Sequence, residues 1–154
     1  MKNQLDEVDM AILRELQIDN TITLKDLSAK IHLSLTPTYD RIKRLEKKGI
    51  IQENVAILDR NLLNLGLIVQ CQVSLEKQNQ KMFKEFEKEV SKIPEVMGCY
   101  LVSGSFDYLL NIVCGSVQDY QHFHEEKLST LPHVDHINSI FVIKEVKRKT
   151  QLPI

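Results

Sequence analysis

The apolar residues of this chain change their spacing part-way along it, and that change limits the folds open to the chain. Up to about residue 50 they recur every three or four positions, the spacing of amphipathic helices. From residue 67 onward, segments in which apolar and polar residues alternate, as in half-buried strands, are interspersed with further helical segments. We therefore predict an α+β chain with one domain at residues 1–52, a connector at 53–66 and a second domain at 67–154.

Three helices are predicted in the first part of the chain. Apolar residues at helical spacing run from Leu5 to Leu16 with acidic residues at the start, so the first helix is expected to end near Asp19. The second begins at Thr23, which has the form of a capping box with Asp26 in place of the usual Glu. This second helix is short, and only a tight turn separates it from the third.

The third helix is expected to start at Ser34 and to end at Gly49, which suits a left-handed C-terminal cap. Pro37 falls in its first turn, where the missing N–H has no intrahelical acceptor to lose. Residues 50–59 could then supply a short strand or wing. Three helices with a tight turn between the second and the third predict a helix-turn-helix. The face expected to be buried consists of Tyr39, Ile42 and Leu45.

Positive charge is concentrated on this third helix. The whole chain has a net charge of −1, which by itself indicates no particular partner. Residues 30–48 hold six basic and two acidic side chains, a local excess of +4. Arg41, Arg44 and Lys48 share one face and suit contacts with phosphate, and shorter side chains at the start of the helix can reach base edges. A three-helix unit whose basic face is merely solvated is the alternative. The short side chains are Leu35, Thr36 and Thr38.

The second part of the chain predicts the order β-α-β-β-α-β, which is the ferredoxin-like arrangement. Asp59 is expected to cap a brief helix that Gly66 ends, and Ser116 with Asp119 repeats the capping-box form before the last helix. Such a unit leaves one face of its sheet to be covered, so we expect at least a dimer. The expected strands cover residues 69–75, 96–102, 108–113 and 134–146.

The turn within LVSGSFDYLL, residues 101–110, carries a carboxylate between two aromatic residues. Gly104 can take a positive φ, which would present successive backbone amides to a ligand carboxylate. Asp107 could accept hydrogen bonds from the ammonium group of the same ligand, and such a pair would select α-amino acids. On the pattern alone we favour the alternative in which Asp107 caps the turn through local backbone bonds.

Composition predicts a soluble, cytoplasmic protein. No apolar run approaches the roughly 20 residues needed to cross a bilayer, and the start MKNQLDEVDM lacks the basic and apolar regions of a secretory signal. The three cysteines are widely spaced among apolar residues, which favours buried reduced thiols over disulfides or a zinc site. They are Cys71, Cys99 and Cys114.

No catalytic or metal site is predicted. His122 and His124 lie two apart on a helix and point to nearly opposite sides. His133 and His136 could meet across a turn, but no carboxylate or cysteine is arranged with them. The chain also lacks a Gly-rich phosphate loop and a nucleophile motif. We therefore expect a protein that is not an enzyme and holds no cofactor.

Four stretches of the chain together resemble the Lrp/AsnC family of transcription regulators, also called leucine-responsive or feast/famine regulators. These are LDEVDMAILRELQ, LSLTPTYDRIKRLEKKGIIQ, VSGSFDYLL and EVKRKTQLPI. The resemblance implies an N-terminal winged helix-turn-helix and a C-terminal ferredoxin-like domain that dimerises through its sheets. It further implies dimers assembled into octamers or similar rings, with a small amino acid bound between dimers, and double-stranded DNA with a palindromic operator as the partner.

The resemblance also implies site residues. Phe141 stands in a segment where relatives often have Thr-Tyr-Val-Val, and its bulk disfavours leucine as the effector. His32 replaces a common Gly, so the turn is expected either to be looser than usual or to hold His32 in a left-handed conformation. A DNA-binding architectural protein without an effector is the alternative function. The expected DNA-binding residues are Leu24, Lys25, Ser34, Leu35, Thr36, Thr38, Tyr39, Arg41, Lys43, Arg44, Lys47 and Lys48. The expected effector site combines Leu101, Ser103, Gly104, Ser105, Phe106, Asp107, Tyr108 and Val117 with Ser139, Ile140, Phe141 and Val142 of a neighbouring subunit.

Overall fold

The computed structural model describes residues 5–154 and divides the chain into two compact units. The first unit reaches to Ile57 and also includes the returning segment Lys147–Ile154, while the second spans Leu58–Val146. Among the described residues, no helix is long and apolar enough to cross a membrane. The elements are α1 (Glu7–Ile18), α2 (Leu24–Lys30), α3 (Leu35–Lys47), β1 (Leu67–Leu75), α4 (Gln80–Val90), β2 (Val96–Leu101), β3 (Tyr108–Cys114), α5 (Val117–Glu126), a short 3-10 helix (Leu128–Thr130) and β4 (Val134–Phe141).

The first unit is a bundle of three helices with well-defined starts. Asp6 and Asp9 form a complete capping box at the start of α1, and the Thr23 hydroxyl accepts from the amide of Asp26 at the start of α2. His32, in the turn between α2 and α3, has φ +55°, so the left-handed conformation expected for it is confirmed. Burial of a Leu or Ile side chain contributes about 1.5–3 kcal/mol, and the core of this unit is built from such residues. The buried ones are Ile12, Leu13, Leu27 and Leu45.

The two ends of α3 differ in how their terminal backbone groups are hydrogen-bonded. At the end of α3, Gly49 has φ +69° and its amide donates to the carbonyl of Glu46, while the amide of Ile50 donates to the carbonyl of Leu45. These two hydrogen bonds together form a Schellman cap. At its start Ser34 occupies the N-cap position but makes no side-chain capping bond, so the expected hydroxyl cap is wrong. The Ser34 carbonyl instead accepts from the Thr38 hydroxyl at 2.9 Å.

The second unit is a four-stranded antiparallel sheet with strand order β2-β3-β1-β4, and the predicted ferredoxin-like fold is confirmed. Alternate residues of β1 and β3 pack with α4 and α5 into one core, because successive side chains of a strand point to opposite faces. Phe86 of α4 packs on Tyr108 at a ring separation of 4.6 Å. The buried strand residues are Val69, Cys71, Val73, Leu75, Tyr108, Leu110, Ile112 and Cys114.

The opposite face of the sheet carries a mixture of amide and apolar side chains. Gln70 lies opposite Asn111 on β3, and Gln72 lies opposite Asn138 on β4, with the Asn138 amide donating to Gln72 Oε1 at 3.0 Å. The Oδ1 atom of Asn111 is buried and has no hydrogen-bond partner among residues 5–154. A buried amide oxygen without a partner is unfavourable, so this atom carries an energetic cost within the chain.

Four sequence predictions about local structure are wrong. The last strand ends at Phe141, not at residue 146, because β1, its pairing strand, lies next to it only as far as Ile68. Residues 60–64 form turns on the Asp59 carboxylate in place of the brief helix. Cys99 is exposed because β2 is an edge strand, whereas the other two cysteines are buried. Residues 50–59 also form no strand, since nothing in the described chain pairs with them.

Candidate functional site

The exposed face of α3 is the first candidate site. Thr36, Tyr39, Lys43 and Lys47 follow one another at three- or four-residue spacing and are all exposed, so they form one continuous face. The Lys43 ammonium lies 5.7 Å from the centre of the Tyr39 ring and 2.7 Å from a Glu46 carboxylate oxygen. This face combines a hydroxyl, an aromatic ring and two cations, which are groups that can contact base edges and phosphates.

Thr38 and Tyr39 on α3 have the opposite burial from that predicted. Thr38 is fully buried, so it cannot reach a base edge, whereas Tyr39 is 50% exposed and does not belong to the core. The reason is helical geometry: positions 38, 42 and 45 follow the i, i+4, i+7 spacing of a single stripe, whereas 39, 42 and 45 drift by about 60° at each step. Leu35, at 50% exposure, lies at the open start of the helix as expected.

The arginines expected to contact phosphate are held by carboxylates of α1. Arg41 donates to Asp6 at 2.6 Å and to Asp9 at 2.7 Å, and Arg44 donates to Asp9 at 2.7 Å. The Asp9 side chain is 2% exposed, so its charge is balanced by the two guanidinium groups. Hydrogen bonding to Asp6 and Asp9 raises the pKa of Arg41 above its ordinary value. Arg41 and Arg44 therefore join α3 to α1, a role that the sequence analysis did not assign to them.

The remaining predicted cations of the first unit are free of such partners. Lys25 on α2, Lys47 at the end of α3 and its C-cap residue Lys48 are exposed and form no ion pair with any residue from 5 to 154. Leu24, beside Lys25, is half-buried in the first turn of α2. Among the cations predicted to contact phosphate, those without an ion pair thus lie at the helix ends rather than at the middle of α3.

The turn between β2 and β3 is the second candidate site. Gly104 has φ +150°, and the open space around it would admit a Cβ without a contact. The backbone amides of Ser103, Gly104, Ser105 and Phe106 donate to no acceptor among the described residues. Ser103 and Ser105 are exposed and Phe106 is half-buried. A run of free N–H groups in a turn attracts an anion such as a carboxylate.

The Asp107 carboxylate does not face this turn. Its Oδ2 accepts from the amide of Leu75 at 2.8 Å, and its Oδ1 accepts from the Gln78 side chain at 2.7 Å. Asp107 is buried and ties the end of β1 and the following loop to the start of β3. These bonds reach distant residues, so the alternative of a purely local turn cap is contradicted. The contact with a ligand ammonium stays a prediction, since each carboxylate oxygen can accept a further hydrogen bond.

Tyr108 is a core residue and not part of an open site. It is 1% exposed, its ring packs on Phe83 and Phe86, and its hydroxyl donates to Glu87 at 2.9 Å. Burial raises its pKa above the ordinary value for tyrosine. Any effector that approached the Gly104 turn would meet Phe106 and the exposed Leu101 first.

The structure separates the predicted effector residues into two groups. The Gly104 turn precedes β3, whereas Val117 follows it, and seven strand residues at about 3.3 Å each place them roughly 20 Å apart. Phe141 lies at the Val117 end, because it is aligned through Val69 with Ile112 near the end of β3. Val117 is therefore not near the Gly104 turn of its own chain, contrary to the prediction. One chain thus carries the predicted effector residues in two groups at opposite ends of its sheet, and these groups are called the predicted half-sites below.

The second half-site is built on β4 and α5. The Phe141 ring meets Tyr120 edge-on at 5.3 Å, and the Tyr120 hydroxyl is within hydrogen-bond distance of Ser139 and of the buried Cys71 thiol. Burial raises the pKa of Cys71. Val142 is half-buried, while Ile140 and Phe141 are exposed at 42% and 40%. Ser139 is thus occupied by Tyr120, and the exposed apolar groups are the parts free to contact a ligand.

No metal centre is found in the described part of the chain, since no three His, Cys, Asp or Glu side chains are grouped to hold an ion. His133 instead pairs with Glu85, and this bond holds the pKa of Glu85 below its ordinary value. His133 adopts φ +63°, which was not anticipated from sequence.

Two family models together match nearly the whole chain. Residues 5–52 match a model described as winged helix-turn-helix DNA-binding, and residues 68–152 match one described as the Lrp/AsnC ligand binding domain. The first match contains α1 to α3, and the second contains the sheet and both half-sites. The first unit supplies the three helices of the described helix-turn-helix, and residues 50–59 form no strand that could serve as its wing.

Known proteins resemble the chain along its full length. The Bkd operon transcriptional regulator of Pseudomonas aeruginosa is 38% identical over 151 residues, 98% of this chain and 99% of that protein. The leucine-responsive regulatory protein of Escherichia coli K12 is 37% identical over 97% of this chain and 92% of that protein. A transcriptional regulator of Neisseria meningitidis, solved in complex with L-methionine, superposes with a TM-score of 0.92 at 35% identity, covering 97% of each chain.

Proposed function

Because this chain belongs to the Lrp/AsnC family of transcription regulators, we propose that its α3 face binds duplex DNA and that its ferredoxin-like domain adjusts that binding by holding an α-amino acid between subunits. The observation that supports the effector most directly is the row of four free amides at the Gly104 turn. Their N–H groups suit the carboxylate that all α-amino acids share.

For DNA, we propose that α3 enters the major groove with Leu35, Thr36 and Tyr39 toward base edges. Ser34, whose hydroxyl has no capping bond, Lys43 and the helix-end cations contact phosphates. These helix-end cations are Lys25, Lys47 and Lys48. Thr38, Arg41 and Arg44 position the helix and do not touch DNA.

Changing Lys47→Gln and Tyr39→Ala separates these roles. The first should weaken binding to every duplex and make the slope of log Kobs against log salt shallower by about 0.9, as for one lost phosphate contact. The second should lower affinity for the preferred sequence more than for mixed-sequence duplex. Lys84→Gln, an exposed lysine of α4, is the matched charge control. If Lys47→Gln and Lys84→Gln behaved alike, the proposed α3 contact would be wrong.

For the effector, we propose an amino acid with an apolar side chain, and the methionine complex of the similar Neisseria protein makes L-methionine the first ligand to test. Its carboxylate would lie on the Gly104 turn of one subunit, and its side chain would lie against apolar residues such as Phe141 of another. Asp107 already accepts from Leu75 and Gln78, so an ammonium that reached it would share a carboxylate that also holds β1 to β3.

Titration calorimetry with analogues tests the carboxylate contact. L-methionine should bind, while L-methioninamide, which has no carboxylate, should bind at least about tenfold more weakly, the effect expected from losing roughly 1.4 kcal/mol of charge-assisted hydrogen bonding. Equal binding of both would contradict the proposed contact. Unchanged DNA affinity and subunit number across a panel of amino acids would instead favour the architectural DNA-binding function.

We propose that the subunits pair through the open sheet face and assemble further into octamers or similar rings. Two features support this: the predicted effector residues lie at opposite ends of one chain's sheet, and residues 52–58 form no backbone hydrogen bond to any described residue. Native mass spectrometry with and without L-methionine measures the subunit number. A monomer under both conditions would refute this assembly. We also propose that the protein acts in the cytoplasm on palindromic operators and catalyses no reaction.

A further inference from the structure

The first unit carries too little positive charge of its own for a module that binds DNA. Residues 5–57 contain eight Lys or Arg and nine Asp or Glu, a net charge of −1. Several of the cations are also paired internally, since Arg41 and Arg44 bind carboxylates of α1, Lys43 pairs with Glu46 and Lys30 with Glu15 at 2.6 Å. Because phosphate contacts supply much of the affinity for DNA, the unit needs another source of free positive charge.

The returning segment Lys147–Ile154 belongs to this same unit and is fixed on α1. The amide of Leu152 donates to Gln17 Oε1 at 2.6 Å, and the Gln17 side-chain amide donates back to the Leu152 carbonyl at 3.4 Å. Arg14 Nε donates to the carbonyl of Ile154 at 2.9 Å. Three bonds within a single turn of the helix hold Leu152 and Ile154, the end of the segment, on α1.

Three consecutive basic residues begin the docked segment: Lys147, Arg148 and Lys149. All three are exposed, and none forms an ion pair with a residue of the described chain. They change the net charge of the unit from −1 to +2. The segment runs antiparallel to α1, since Ile154 meets Arg14 and Leu152 meets Gln17. Followed back from Ile154 through Leu152, the segment heads toward the end of α1, from which the chain continues to the predicted phosphate contact Lys25 on α2.

We infer that Lys147, Arg148 and Lys149 form a second phosphate-contacting element of the DNA-binding unit, positioned by the docking of the C-terminal segment on Gln17 and Arg14. Its ligand is the backbone of duplex DNA, without regard to base sequence. This inference rests on the proposed DNA binding of α3 and adds to it an element from the opposite end of the chain.

The test compares the full-length protein with a variant carrying Lys147→Gln, Arg148→Gln and Lys149→Gln. Binding to a fluorescent duplex of mixed sequence is measured by anisotropy at several salt concentrations. Each lost contact should make the slope of log Kobs against log salt shallower by about 0.9, so a decrease of roughly 2 to 3 per bound subunit is expected. The matched control changes three exposed, unpaired lysines of the second unit to Gln, with the same loss of charge: Lys77, Lys84 and Lys88.

A second variant, Gln17→Ala, tests the docking while leaving every cation in place. It should keep the wild-type salt slope but bind several-fold more weakly, because the released segment must be ordered when DNA binds. Equal slopes for the triple variant and its control would overturn the phosphate contact, and wild-type affinity for Gln17→Ala would overturn the docking. Failure of the wild-type protein to bind any duplex would refute the proposed function itself, which is a distinct result.

Discussion

Replacing Asp9 by alanine should loosen the DNA-binding unit while sparing the rest of the chain. The Asp9 carboxylate is 2% exposed and receives hydrogen bonds from Arg41 and Arg44 at 2.7 Å. Breaking a fully buried ion pair costs about 3–5 kcal/mol. The two arginine side chains keep 25% and 46% exposure, so once released they regain part of their hydration. We therefore expect a loss of about 2–3 kcal/mol in the free energy of unfolding, near the value for hydrogen bonds to charged groups.

Hydrogen exchange of the full-length protein, read by mass spectrometry, measures this loss in the correct unit. A change of about 2–3 kcal/mol should speed exchange of the α1 and α3 peptides by roughly 30- to 140-fold. Peptides from β1 provide the internal reference, and Glu53→Ala, an exposed acidic residue without an ion pair, is the matched control. Acceleration of less than about threefold, or acceleration shared equally by β1, would refute the view that Asp9 holds α3 against α1.

Three further predictions concern single contacts. The hydrogen bond from Arg41 holds the pKa of Asp6 below its ordinary value of 3.8. The stability contributed by this bond is therefore present above pH 3.8 and is lost as the pH falls through the lower pKa of the folded state. In Arg41→Gln, NMR titration of Asp6 should show its pKa rising toward 3.8. Asp107→Ala should leave the buried amide of Leu75 unpaired, costing about 1–3 kcal/mol, and its exchange should accelerate accordingly, whereas unchanged exchange would contradict the bond. Gly104→Ala should lower the urea midpoint by the equivalent of about 1 kcal/mol, since φ +150° disfavours a Cβ although space is open; an unchanged midpoint would show that the turn relaxes without strain.

The helices and strands could be predicted because their signals are local. The capping residues Thr23 and Ser116, the left-handed Gly49 and the positive φ of His32 all depend on neighbours within a few positions. The sheet topology followed from the alternation of apolar residues along the strands and from the preferred connections of a β-α-β-β-α-β unit. The family resemblance then supplied the function that the pattern alone left open.

The side-chain partners could not be predicted, because they come from distant parts of the chain. Arg44 meets Asp9 across 35 positions, and Asp107 meets Leu75 across 32. The sequence does not show which carboxylate will neutralise a basic side chain on a helical face that is predicted to be exposed. The reversed burial of Thr38 and Tyr39 is different, since a stricter reading of the helical angle would have placed both correctly.

The internal pairing of Arg41 and Arg44 bears on how specificity and affinity are divided in the DNA-binding unit. If these arginines orient α3 without touching DNA, that helix offers Leu35, Thr36 and Tyr39 for sequence reading. Most phosphate affinity must then come from Lys43, the helix ends and residues 147–149. Residues 147–149 follow β4 within a few positions, and β4 carries one effector half-site. On these proposals, one strand and its extension would join the effector to the phosphate contacts. L-methionine should then alter the salt slope of the wild-type protein and leave that of the triple Gln variant unchanged.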